Sequence, residues 1–190
     1  MLLTVTTNLS NRHIHLSADD LATLFGVETT LTPKIDLLQP GAFAAEETVT
    51  ISGPKGSIER VRIVGPLRPD TQCEILAADR HKLGIDAPLR LSGDIAGSAA
   101  FTITGPGGSI EKSEGLIVAK RHIHMDTETA AQHNLTNGQI VSLAIPGERG
   151  GMLSETILRV TPESVTECHI DTEEGNALGI SNGDSLTIIT

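Results

Sequence analysis

NRHIHLS, at residues 11–17, returns as KRHIHMD at residues 120–126, and this repeat decides how the chain is organised. A second motif follows each copy in the same order, as TQCEI at residues 71–75 and TECHI at residues 166–170. Each of these is followed, at the same distance, by Leu-Gly-Ile. Matching motifs in the same order indicate an internal duplication of one structural unit.

A polar, glycine-containing connector at residues 91–98, LSGDIAGS, separates the two copies. The predicted halves are therefore residues 1–92 and 93–190, with strands that can cross between them. Residues 48–52 and 57–64 alternate around the turn GPKG, which is typical of a strand, a tight turn and a second strand. Because helical signals are few and short, the pattern predicts a mainly β protein, a barrel or a sandwich with short capping helices.

The composition excludes several classes of partner. The 190 residues include 14 Lys and Arg against 24 Asp and Glu, a formal net charge of −10 at pH 7. We expect neither nucleic acid nor a membrane surface as a partner, because both attract basic proteins. No apolar stretch is long enough for a transmembrane helix, and the N-terminal residues lack the pattern of a secretory signal. With only two cysteines, the chain is predicted to be cytoplasmic.

Each copy of the first motif contains a His-x-His pair, His13 with His15 and His122 with His124. Residues i and i+2 of a strand face the same side, so each pair presents two imidazoles together. Such a pair is an efficient chelate for Zn²⁺ or a similar metal. A surface or core pair of histidines is the alternative for one lone copy, but two copies in duplicated frames favour metal binding.

The duplication also nominates a third ligand for each pair, because Glu74 and His169 occupy equivalent positions in the second motif. Three protein ligands with an open fourth position are typical of catalytic zinc. The neighbouring Cys73 and Cys168 could compete, but a strand would point them away, and we expect buried thiols. The predicted metal triads are His13, His15, Glu74 and His122, His124, His169.

The duplication is broken in the loop before the third ligand, where Arg68 aligns with Glu163. A planar guanidinium in a proline-flanked loop is suited to bidentate capture of an oxyanion such as phosphate. An ordinary surface arginine is the alternative. Beside a set of metal ligands, we favour the anion-binding role.

These motifs, taken together and in order, resemble the PduL-type phosphate acyltransferases, also called phosphate propanoyltransferases. The resemblance covers nearly the whole chain and runs through SNRHIHLS, LTPKIDLLQPGAFAAEETVTISGPKGSIE, GPLRPDTQ, SGD, GPGGSIE, RHIHM, GERGG and CHIDT. It implies two small packed β-barrels with short capping helices around a two-zinc site. It also implies a reversible reaction of a short-chain acyl-CoA with phosphate, which gives acyl phosphate and coenzyme A.

The resemblance further implies that each triad holds one zinc ion and that Arg68 binds phosphate. Arg62 and Asn176 match positions that the family places near coenzyme A. Where family members often carry a basic pair after the arginine, this chain has Pro69 and Asp70, a difference that bears on phosphate affinity. Many members begin with a helix that targets a bacterial microcompartment. We expect no such peptide here, because the first motif begins so early in the chain.

Two other functions stay open from the sequence. A dimetal hydrolase of thioesters or phosphoesters would need only water, whereas acyl transfer needs added phosphate. A non-enzymatic metal-binding double-barrel module, or a duplicated cupin, would hold metal without turnover. Acetyl-CoA and propanoyl-CoA are both compatible substrates, and a homo-oligomer is compatible with the sequence.

Overall fold

The computed structural model describes residues 3–190, and most of its regular structure is β-strand. These residues form two compact units. The central unit is Arg12–Ala119, and the terminal unit combines residues 3–11 with Lys120–Thr190. Within residues 3–190, none of the helices combines the length and the apolarity needed to cross a bilayer.

Within residues 3–190, two to four strands precede each helix, and the strand directly before each helix is short. The strands are β1 (Thr4–Ser10), β2 (His13–His15), β3 (Pro33–Asp36), β4 (Phe43–Gly53), β5 (Gly56–Gly65), β6 (Gln72–Ile75), β7 (Leu89–Arg90), β8 (Ala99–Gly105), β9 (Gly108–Ala119), β10 (His122–Met125), β11 (Ile140–Ile145), β12 (Gly151–Val160), β13 (Glu167–Asp171) and β14 (Ser185–Ile189). The helices are α1 (Ala18–Phe25), α2 (Asp79–Leu83), α3 (Thr127–Gln132) and α4 (Thr172–Leu178).

The central unit is built on a closed barrel. Its six strands follow the order β4, β5, β2, β6, β9 and β8, and β8 pairs back to β4. β3 extends the sheet beside β4, and β7 does so beside β9. The barrel interior is filled by inward-facing apolar residues that are 0% exposed, among them Ile14, Ile51, Ile63, Ile103 and Leu116.

The terminal unit is a second closed barrel, with the strand order β1, β13, β10, β12, β11 and β14. Starting from β1, its pairings are parallel, antiparallel, parallel and then three times antiparallel. Starting from β9, the central barrel shows the same succession. The two barrels therefore share one pairing scheme, which confirms the predicted mainly β fold of two small barrels with short helices.

In this scheme, β1 takes the place in the terminal barrel that β9 takes in the central barrel. β1 ends at Ser10 and leads directly into β2, and β9 ends at Ala119 and leads directly into β10. β1 belongs to the terminal barrel and is followed in the chain by the His-x-His strand of the central barrel. β9 belongs to the central barrel and is followed by the His-x-His strand of the terminal barrel. The units consequently differ from the predicted halves, 1–92 and 93–190, because long-range strand pairing assigns β8 and β9 to the central unit and β1 to the terminal unit.

Local sequence signals explain the hairpins and the helix starts. The predicted turn GPKG joins β4 to β5, and the similar sequence GPGG at residues 105–108 joins β8 to β9. Ser17 caps α1 by accepting a hydrogen bond from the Asp20 backbone, and Asp126 caps α3 through the Thr129 backbone. Asp171 forms a capping box at the start of α4. Because these helices begin directly after the ligand-bearing strands β2, β10 and β13, their caps fix the chain just beyond each predicted ligand.

Candidate metal centres

The first predicted triad lies on two paired strands of the central barrel. Ile14 is 0% exposed in the core, so the pleat turns His13 and His15 to the outer face of β2. β2 pairs with β6 in a register that places His13 opposite Glu74. One potential ligand atom from each of His13, His15 and Glu74 lies within 4.8 Å of the other two. The structure therefore brings this triad together.

The chemistry of the central triad fits a divalent metal. The Nδ1 of His15 lies 2.9 Å from the Val64 carbonyl oxygen, so the ring donates there and keeps the lone pair of Nε2. Burial, together with the nearby His13 and Arg68, lowers the pKa of His15 to about 3. A neutral imidazole beside a carboxylate is the ligand state that Zn²⁺ requires.

The second triad lies at the equivalent place of the terminal barrel. Ile123 is 0% exposed in its core, and β10 pairs with β13 so that His122 stands opposite His169. The Nε2 atoms of His122 and His124 are 3.2 Å apart. His122, His124 and His169 each offer a ligand atom within 4.8 Å of the other two. Three imidazoles at this spacing form a nitrogen-rich set that suits Zn²⁺ and similar metals.

As in the central triad, a backbone carbonyl orients one ring of the second triad, and burial and nearby charges lower the pKa of another. His122 Nδ1 lies 3.0 Å from the Lys120 carbonyl oxygen, which orients the ring and leaves the lone pair on Nε2. Burial, with His122, His169 and Arg159 nearby, lowers the pKa of His124 to about 3. Arg159 stands beside His124 in the register of β10 and β12, and sequence reasoning did not single it out.

Arg68 lies in the loop between β5 and β6, beside the central triad. Its backbone N–H donates to the Leu16 carbonyl at 2.9 Å, and its Nη1 donates to Ser92 Oγ at 3.1 Å. Its charge is among the causes of the lowered pKa of His15, and its bond to Ser92 Oγ places it beside Gln72, whose Nε2 donates to the same oxygen. Glu163, at the equivalent position of the terminal unit, is exposed.

The two residues that resemblance linked to coenzyme A lie in different units. Arg62 is opposite His13 in the register of β2 and β5, and its Nη1 donates to the carbonyls of Ala45 and Glu46 at 2.8 Å each. Asn176 is exposed on α4. Their role in binding coenzyme A stays a prediction.

Sequence reasoning missed a buried amide beside Glu74. Gln72 is 2% exposed, and its Nε2 donates to Glu74 Oε1 at 2.7 Å and to Ser92 Oγ at 2.9 Å. Its Oε1 accepts a hydrogen bond from the Gly93 backbone. The signal that could have found it is its spacing, since a residue two positions before a ligand shares the same strand face.

The terminal centre has a carboxylate in the corresponding position. Glu167 is 4% exposed, and its Oε2 lies 2.7 Å from Nε2 of His169. Its Oε1 accepts a hydrogen bond from Nδ2 of Asn8 on β1 at 3.0 Å. Asn8 could not be found from the sequence, because it reaches this centre only through the pairing of β1 with β13.

The two cysteines take no part in these centres. Cys73 and Cys168 are free thiols, 0% exposed, within the cores of their barrels. Burial raises the pKa of Cys73 and raises the pKa of Cys168 to about 12. The expectation of buried thiols that point away from Glu74 and His169 is confirmed.

Comparisons with known proteins agree on one family. A sequence model of the phosphate propanoyltransferase family matches residues 6–181. A phosphate propanoyltransferase of Priestia megaterium is 53% identical over 182 residues, which cover 96% of this chain and 84% of that protein. The Rhodopseudomonas palustris protein of that name is 51% identical over 184 residues, 97% of this chain and 81% of that protein. The one from Thermotoga maritima is 45% identical over 182 residues, 95% of this chain and 87% of that protein.

Proposed function

This chain belongs to the phosphate propanoyltransferase family, and from this premise we propose that each triad holds one zinc ion while Arg68 binds the phosphate substrate. The protein is a phosphate acyltransferase. In the proposed reaction a phosphate oxygen forms a bond to the acyl carbon of a short-chain acyl-CoA. The thioester C–S bond then breaks, and the products are acyl phosphate and coenzyme A.

One observation carries the proposal: a chain of hydrogen bonds connects Arg68 to the central triad. Arg68 Nη1 donates to Ser92 Oγ, Gln72 Nε2 donates to the same oxygen, and Gln72 also donates to Glu74. The guanidinium is thus linked, through Ser92 and then Gln72, to the predicted metal ligand Glu74. A phosphate bound by Arg68 would meet the acyl carbon at a fixed position, which removes much of the entropic cost of bringing the reactants together.

Arg68 also has an electrostatic task. The protein carries a formal net charge of −10, and both phosphate and coenzyme A are anions. A half-buried guanidinium offsets phosphate charge locally and offers two parallel N–H donors in the plane that oxyanions prefer. We assign a contact with coenzyme A to Arg62 and Asn176, which the family resemblance supports.

His13, His15 and Glu74 would hold one metal ion, and His122, His124 and His169 would hold the other. A bound zinc ion supplies positive charge that stabilises the departing thiolate or polarises the thioester carbonyl. The lowered pKa values of His15 and His124 keep these two imidazoles neutral, and the Val64 and Lys120 carbonyls orient the rings of His15 and His122.

The two buried cysteines favour direct attack by phosphate over an acyl-enzyme intermediate. An acyl-enzyme intermediate would need an accessible nucleophile, and a thiolate is the strongest candidate among side chains. Cys73 and Cys168 are 0% exposed and held as thiols by their raised pKa values. Neither can attack an acyl-CoA without unfolding of its barrel.

The test of the reaction is the release of free coenzyme A thiol from acetyl-CoA and propanoyl-CoA, with and without phosphate. We expect release that depends on phosphate, with accumulation of acyl phosphate, and the two rates rank the acyl groups. Release without phosphate would favour a thioester hydrolase. Bound metal without release would favour a metal-binding module.

The metal assignment is tested by Glu74→Gln, with Glu163→Gln as the matched control for the loss of one negative charge. We expect wild-type protein to contain about two metal ions per chain and Glu74→Gln to contain about one, because a neutral amide is a poor zinc ligand. The control should match the wild type in elemental analysis. Equal metal content in all three proteins would contradict the assignment of Glu74.

A further inference from the structure

The residues that support the third ligands are equivalent in the duplication but opposite in hydrogen-bonding character. Gln72 precedes Glu74 by two positions, and Glu167 precedes His169 by two positions. Both are nearly fully buried and share a strand face with their ligand. One is an amide beside a carboxylate, and the other is a carboxylate beside an imidazole.

In the central barrel, the ligand can only accept hydrogen bonds. An ionised Glu74 has no hydrogen to donate, so a supporting group must be a donor. Gln72 meets this need through Nε2, 2.7 Å from Glu74 Oε1. The amide is itself fixed, because its Oε1 accepts from the Gly93 backbone and its Nε2 also donates to Ser92.

In the terminal barrel, the ligand needs the opposite partner. A neutral imidazole that gives one nitrogen lone pair to a metal carries a hydrogen on its other nitrogen, so its support must be an acceptor. Glu167 meets this need through Oε2, 2.7 Å from Nε2 of His169. Its second oxygen is fixed by the amide of Asn8 at 3.0 Å.

We propose that Gln72 and Glu167 are positioning residues, each with the hydrogen-bonding character that its third ligand needs. Each centre then has one carboxylate: Glu74, a ligand, in the central barrel, and Glu167, the support of a ligand, in the terminal barrel. The inference rests on metal binding at both triads. Each triad together with its supporting residue then carries one formal negative charge. The central charge lies on a ligand, and the terminal charge lies one hydrogen bond behind a ligand.

The first test titrates metal-free protein with Co²⁺ and follows the visible absorption of the bound ion. Glu167→Gln keeps an acceptor for His169 but removes the charge, and Glu167→Ala removes both. We expect one of the two binding steps to weaken about 10- to 100-fold in both variants, the range known for residues that support metal ligands. Glu163→Gln, on the exposed surface of the same unit, should bind as the wild type does.

The second test asks whether metal affinity depends on the pairing of each third ligand with a supporting residue of the right hydrogen-bonding character. His169→Glu alone places a second carboxylate beside Glu167, and we expect it to lose the terminal Co²⁺ signal. Adding Glu167→Gln gives the terminal barrel the same amide–carboxylate pair that Gln72 and Glu74 form in the central barrel. The double variant should bind Co²⁺ at least about tenfold more tightly than His169→Glu, a coupling typical of contacting residues. Circular dichroism checks that every variant is folded.

The outcomes separate this inference from the proposed function. Wild-type protein that binds two Co²⁺ ions, with unchanged affinities in the Glu167 variants, would overturn the positioning role and leave the metal triads standing. A double variant that binds no better than His169→Glu would overturn the matching. Wild-type protein that binds no metal would overturn the metal assignment and this inference together.

Discussion

The central and terminal barrels share a pairing scheme, yet the loop before the third ligand carries Arg68 in one and Glu163 in the other. Arg68 is tied by hydrogen bonds to Leu16 and Ser92, whereas Glu163 is exposed. Strand pairing and core positions are thus shared between the copies, while the charge of this loop is not. Both copies carry a set of potential metal ligands, and the difference in this loop supports the proposal that Arg68 of the central copy binds the anionic substrate.

The largest effect is expected where the two copies differ most. Arg68→Ala should lower kcat/KM by about 100- to 1,000-fold, because it removes the charged donor that positions phosphate. Thiol release with varied phosphate measures this loss, and elemental analysis should show unchanged metal content. Glu163→Ala, at the equivalent position, should leave the rate within about twofold, as expected for an exposed surface residue.

Two outcomes would break this contrast. Loss of metal in Arg68→Ala would move the role of the arginine from substrate binding to support of the triad. A large loss of rate in Glu163→Ala would show that the loop of the terminal barrel contributes to the reaction as well.

The next effect tests how alike the two cores are. Ile14 and Ile123 are the central residues of the two His-x-His motifs, and both are 0% exposed. Replacement of either by alanine should cost about 2–5 kcal/mol, from lost apolar contact and the cavity left behind. Amide hydrogen exchange measures where the loss falls.

We expect Ile14→Ala to reduce protection in the strands of the central barrel and Ile123→Ala in those of the terminal barrel. A loss of stability in only one of the two variants would show that the two cores are packed differently although the strands pair in the same way. Ser57→Ala, at an exposed position of β5, serves as the control for a change outside the core.

The smallest effect compares the helix caps that follow the two motifs. Ser17 makes one cap bond to the Asp20 backbone at 3.2 Å. Asp126 accepts from the Thr129 backbone and hydroxyl at 2.7 Å each and from the Thr166 hydroxyl at 3.1 Å. Asp126→Ala should cost about 1 kcal/mol or more and Ser17→Ala less, because more bonds to the carboxylate are lost. Urea denaturation of the two variants measures the difference, and equal losses would contradict it.

Local features of this fold could be predicted from the sequence. The turn GPKG closes the hairpin predicted around residues 48–64, and the helices α1, α2, α3 and α4 have only five to eight residues, as the few and short helical signals indicated. The members of both triads meet as the duplication suggested, because each depends on i and i+2 spacing and on one pair of neighbouring strands. Their occupation by zinc stays a prediction.

Long-range features could not be predicted in the same way. β1 contains TVTTNLS, which indicates a strand but does not say which strands it will pair with. Asn8 and Ser92 reach the centres only through such pairings and loops, so their roles become visible in three dimensions alone. The triads were found because the duplication aligns their members, whereas no repeated motif marks Asn8 or Ser92. Gln72 lies inside a repeated motif and was missed because its position alone does not show that it contacts Glu74.

The place of β1 has a consequence for how the protein is made. The ribosome completes Arg12–Ala119 as one continuous stretch, so the central barrel can close while synthesis is still under way. β1 is synthesised ahead of the whole central barrel, yet its partners β13 and β14 are synthesised only after that barrel. β1 must therefore stay unpaired until β13 and β14 have been synthesised, and slow synthesis of Lys120–Thr190 would prolong the exposure of its edges to other chains.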